Sequence, residues 1–163
     1  MTVDLNAKLD AIFNARAERE SEAVRLKREA EQLQEANLKD FLALKESVIR
    51  PALEALVEKL NERGHKAKVF ENADGEQING NTRSAAIGIR FLLDSAASYR
   101  SGNEYPHLSM SVDKAGRQVQ FYACSMSPGR GGSAGGDGSV AFEGLSEDMI
   151  YSKALKIIAH VYK

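Results

Sequence analysis

Pro51 is the first proline in this chain, no glycine comes before it, and the residues ahead of it repeat with the period of a helix rather than a strand. Ala23, Leu26, Ala30 and Leu33 follow one another at steps of three, four and three, which is heptad spacing. Asn37, Phe41, Leu44 and Val48 continue the stripe after a four-residue step in place of a three, a stutter that locally unwinds a supercoil. Arg16 and Arg19 interrupt the seam between Ile12 and Ala23.

The remaining faces are dense with charge. Arg25 with Glu29, Lys27 with Glu31 and Glu35 with Lys39 stand at helical pair spacing, each pair worth roughly 0.2–0.5 kcal/mol. So narrow an apolar stripe does not belong to a globular core helix. Residues 1–47 are therefore expected to form a charged, coiled-coil-like arm that pairs with a second copy or a helical partner through Ala23, Leu26, Ala30, Leu33 and Phe41. Packing of the arm on its own chain, or a bare arm, is the alternative.

Proline lacks the backbone donor and clashes with the carbonyl four residues back, so the helix should kink or restart at Pro51. A second helix over 48–63 presents Ala52, Leu53, Leu56, Val57 and Leu60 on one face and ends at Gly64, a C-cap residue. This helix opens an α+β domain over 48–163.

Beyond His65 the period changes to two. Strands are expected at about 66–71, 85–93, 107–113, 118–125 and 140–143, with a loop over 72–84 and another around Ser101, Gly102, Asn103 and Pro106. A mobile glycine-rich loop is expected over 127–139. A last helix over 147–162 starts at Ser146, where Leu145 and Ile150 form a hydrophobic staple around the N-cap. Short connections make the four or five strands an antiparallel meander. Because each strand is apolar on one side only, both later helices should pack on one face and leave the other open.

Composition narrows the function classes. Up to Arg63 there are 11 basic and 13 acidic residues, and beyond it 11 and 10, so no basic domain announces a nucleic-acid partner and one would need a local patch. The single cysteine, Cys124, makes no internal disulfide, and no basic-then-apolar leader opens the chain. Nothing approaches the roughly 18 apolar residues of a membrane span. A cytoplasmic protein without membrane contact is expected.

Pairing Val112 with Val119 and Met110 with Phe121 gives the central strands a common buried face and makes the open face readable. Ser111 then meets Gln120, Ser109 meets Tyr122, and His107 meets Cys124. A thiol beside an imidazole suggests a nucleophile, with His107 lowering the pKa of Cys124. Arg90, Ser109, Ser111, Gln118, Gln120 and Tyr122 are residue types that hydrogen-bond to or stack on nucleic-acid bases and phosphates. The glycine-rich segment around Arg130 lacks the Lys-Ser/Thr ending of a P-loop. His65, His107 and His160 stand apart without paired ligands, so neither metal nor other cofactor is expected.

These readings favour a non-catalytic interaction protein whose arm dimerises or docks and whose sheet face recognises something. Nucleic-acid binding through Arg90 and Tyr122 comes second, and a thiol enzyme built on Cys124 and His107 third.

Overall fold

The computed structural model of the protein describes residues 4–93, 105–127 and 131–162. Asp4 caps the first helix by accepting a hydrogen bond from the Ala7 amide. Helix α1 (Leu5–Leu44) passes through a π-helical turn (Lys45–Ile49) into α2 (Arg50–Glu62). The break expected at Pro51 is thus replaced by a widened turn. The Arg50 amide bonds to the Lys45 carbonyl five residues back, and Pro51 enters α2 in its first positions. A π turn relieves the clash a proline ring makes with the carbonyl four residues earlier, without ending the helix.

Gly64, at φ +81°, closes α2, with the His65 amide bonding to the Leu60 carbonyl. The chain then enters a five-stranded antiparallel sheet. Its strands are β1 (Lys66–Asn72), β4 (Ala86–Leu92), β5 (His107–Asp113), β6 (Gln118–Cys124) and β7 (Ala134–Ala141), in that spatial order. A hairpin of β2 (Glu76–Ile78) and β3 (Asn81–Arg83) occupies part of the stretch expected to be loop, turning on Asn79 and Gly80, both at positive φ. A 3-10 turn (Phe142–Gly144) leads to α3 (Glu147–Val161), which Ser146 caps by accepting from the Met149 amide.

The core lies between one sheet face and the helices. Ile87, Ile89, Phe91, Leu108, Met110 and Val119 are fully buried from the sheet. Ile49, Ala52 and Leu53 meet them from the first helical run, and Ile150, Ala154 and Ile157 from α3. The chain is α+β, with its two domain-bound helical segments on one side of the sheet. Among the described residues, no helix is long and apolar enough to cross a membrane.

Two further expectations change. Ala134–Ala141 is a strand paired with β6 through a bulge between Gln120 and Tyr122, so the second part of the loop placed at 127–139 and the start of the short strand at 140–143 become one edge strand, while Phe142 and Glu143 enter the 3-10 turn. Glycines carry no alternating apolar signal, and here backbone pairing supplies what side chains do not. The Lys153 ammonium adds bonds to the carbonyl and carboxylate of Asp137. Pro128, Gly129 and Arg130, and the loop expected at Ser101, Gly102 and Asn103, lie outside the described residues.

Phe41, assigned from sequence to the arm's contact seam, is instead a core residue at 0% exposure, its ring 6.3 Å from that of Phe142. The stutter marks the place where the helix leaves solvent and joins the domain.

Candidate functional site: an exposed arm and an open sheet face

Every residue from Leu5 to Leu33 is exposed, a stretch of helix about 45 Å long at its ordinary rise. Ala23, Leu26, Ala30 and Leu33 all lie on it, with Leu26 at 52% and Leu33 at 57% exposure. Its surface carries ion pairs within the helix, Arg16 with Glu20 and Arg25 with both Glu22 and Glu29.

The root of the arm is fastened by polar contacts. The Asn37 amide nitrogen donates to the Lys114 carbonyl at 2.7 Å, and its oxygen accepts from Arg117 at 3.1 Å. Arg117 also bonds to Asp40 and Glu143 and lies over the Phe142 ring. The hydrogen bonds it donates to Asp40, then to Glu143, raise the Arg117 pKa. Farther along, Lys45 and Arg50, at either end of the π turn, converge on Glu71 of β1. The bond from Lys45 contributes most to holding that carboxyl below its usual range.

On the other side of the sheet, strand alternation places Lys66, Lys68 and Phe70 of β1 with Gly88 and Arg90 of β4. His107, Ser109 and Ser111 of β5 and Gln118, Gln120 and Tyr122 of β6 complete the face. The register read from the sequence holds, with Ser111 opposite Gln120, Ser109 opposite Tyr122 and His107 opposite Cys124.

Across this face runs a row of rings. The Arg90 guanidinium sits 4.6 Å above the Phe70 ring. Phe70 meets His107 edge-on at 5.9 Å, and His107 lies nearly parallel to Tyr122 at 5.7 Å. Gly88 makes the row possible, since a Cβ there would come within 2.6 Å of Phe70 Cζ and 2.4 Å of the Leu108 carbonyl oxygen. Phe70, Lys66 and Lys68 were missed from sequence because that reading paired only β5 with β6. Their alternation with Ala67 and Val69 was the available signal.

Cys124 and His107 are paired across β5 and β6, but Cys124 is fully buried. His107 Nδ1 lies 2.8 Å from the Tyr105 carbonyl oxygen, which only accepts, so the ring proton is on Nδ1. A substrate in solution has no access to a fully buried thiol. Among the described residues, no group of three or more His, Cys, Asp or Glu is arranged to hold a metal ion.

Compared with known proteins, the chain matches no family model, no curated sequence and no solved structure.

Proposed function

We propose that this is a non-catalytic interaction protein that self-associates through its arm, residing in the cytoplasm. The observation that carries the reading is the full exposure of Leu5–Leu33 together with its heptad seam. Leu5, Leu9, Ile12, Arg16, Arg19, Ala23, Leu26, Ala30 and Leu33 keep one alternation of four- and three-residue steps.

Orientation follows from the two arginines. In a parallel, in-register pair Arg16 would face Arg16, and Arg19 would face Arg19. In an antiparallel pair Leu9 lies opposite Leu33, Ile12 opposite Ala30, Arg16 opposite Leu26, and Arg19 opposite Ala23. Each guanidinium then lays its stem on an apolar or small neighbour and reaches for water, while Glu20 of its own helix already neutralises Arg16 at 2.9 Å. The antiparallel pair also sets the two sheet domains at opposite ends.

Leu5, Leu9, Ile12, Leu26 and Leu33 are 40% to 65% exposed, so burying each would yield roughly 1 kcal/mol, or about 10 kcal/mol for two arms. Association costs about 4–15 kcal/mol in lost freedom. The expected dimer is therefore no tighter than roughly tens of micromolar.

Sedimentation equilibrium of the full chain should show a concentration-dependent dimer that Leu26→Asp and Leu33→Asp abolish. A strict monomer up to about millimolar concentration removes the proposal. Under oxidation, the double variant Leu9→Cys/Leu33→Cys should crosslink as a dimer while Leu26→Cys should not. Crosslinking of the Leu26→Cys variant would instead establish a parallel pair, in which every seam position faces itself.

A further inference from the structure

We infer that the open sheet face near the β1 edge is a binding site for single-stranded nucleic acid, with bases stacking along Tyr122, His107 and Phe70 and phosphates held by Lys66, Lys68 and Arg90. The inference goes beyond self-association and stands on different residues.

Charge selects the kind of ligand. Lys68 and Arg90 are directly paired across β1 and β4, an arrangement that repels unless an anion lies between them. Among the described residues, neither they nor Lys66 form an ion pair with a carboxylate. The nearby Glu71 points to the helical side, where Lys45 and Arg50 occupy it. Asp113, the acidic residue on the open face of β5, stands at the far end of that strand from His107, about 20 Å away at the strand rise, and accepts from the Gly116 amide. A chain that is nearly neutral as a whole thus carries a local cationic edge.

The rings select the form of that anion. Phe70, His107 and Tyr122 come from three different strands yet make one continuous row, and Tyr122 is 39% exposed. Unpaired bases present planar faces to such rings, whereas a duplex keeps its base faces stacked inside. Ser109, Ser111 and Gln120 flank the row with donors and acceptors suited to base edges. Lys66 and Lys68, two positions apart on an edge strand, stand about 7 Å from each other along the backbone and match successive phosphates better than a single one.

The test is fluorescence anisotropy of the full-length protein with a labelled oligothymidylate of about 12 nucleotides, within the site size of known single-strand platforms. Binding should weaken steadily with salt, and Lys68→Ala and Arg90→Ala should each lower the logarithmic salt slope by about 0.7. Tyr122→Ala should weaken binding roughly 5- to 100-fold with little change in slope, and Tyr122→Phe should restore it. Because Tyr122 is a surface residue, unchanged thermal melting will show that these variants fold.

Absence of binding at low salt, or wild-type affinity in the Tyr122→Ala and Arg90→Ala variants, would overturn the inference. A duplex bound as tightly as the single strand would do the same. So would competition by thymidine monophosphate at the oligonucleotide's own concentration, which would reassign the face to a mononucleotide. Equal competition by polyglutamate would reassign it to an acidic protein surface.

Discussion

Asp74 shows how single side chains tie peripheral segments to this small core. It lies between β1 and β2, accepts from the Ala85 amide at 3.1 Å and pairs with Lys114 at 2.8 Å. Burial opposes its charge, but the bonds from Lys114 and Ala85 outweigh that and hold its carboxyl below the ordinary value of 3.8. A depressed folded pKa contributes stability that is fully present above the ordinary value and is lost as pH falls through the folded one. Asp74→Asn should therefore lower stability by about 1–2 kcal/mol at about pH 6, with a smaller deficit at about pH 3, below the ordinary value. Urea midpoints of both proteins at the two pH values measure this. A deficit independent of pH would show that the charge on Asp74 contributes nothing. Arg117, which holds its turn at φ +53° while reaching Asn37, Asp40 and Glu143, serves the arm in a comparable way.

Among the elements, the π turn at Lys45–Ile49 explains how one helix serves two environments. At 3.6 residues per turn, Asn37 and Phe41 face about 100° away from the centre of the set Ile49, Ala52, Leu53, Leu56 and Leu60, the rotation of one residue. One surplus residue in a π turn removes that offset, so both sets meet the same core. Deleting the exposed Ser47 should restore a regular α-helix with both faces still correctly aimed. Pro51 would then collide with the carbonyl four residues before it, at a cost of about 3 kcal/mol. The deletion combined with Pro51→Ala should be nearly neutral. Chemical denaturation of the two variants decides the matter, and equal stability of both would refute the role given to Pro51. The edge strand β7 depends in contrast on backbone pairing, which is why its glycine-rich sequence reads as loop.

The molecule as a whole divides into a part whose stability comes from its own core and a part that contributes little to it. Residues Leu5–Leu33 are all exposed in a single copy, whereas Asn37 and Phe41 are integral to the domain. A chain beginning at Gln34 should melt within about 1 kcal/mol of the full-length protein at high dilution, because exposed helix contributes little to the cooperative unit. At higher concentration the full-length protein should gain stability and the shortened one should not, since association stabilises the folded state by mass action. Matching concentration dependence in both would place any association on the domain.

The sequence by itself determined the helical arm, the strands β1, β4, β5 and β6 and the helices around them, the caps at Ser146 and Gly64, and the pairing of β5 with β6. These depend on short-range periodicity and local backbone chemistry. It also supplied the open-face residues Arg90, Ser109, Ser111, Gln118, Gln120 and Tyr122, because alternation along each of three strands suffices to sort them. Tertiary structure decided the rest. Phe41 belongs to the core because a π turn re-phases the helix, which no heptad count reveals. Phe70 joins His107 and Tyr122 because β1 pairs with β4 across an inserted hairpin, and Gly88 leaves room for its ring. Cys124 is buried where alternation alone would expose it. Each of these depends on contacts between residues far apart in the chain, where local pattern carries no information about distance.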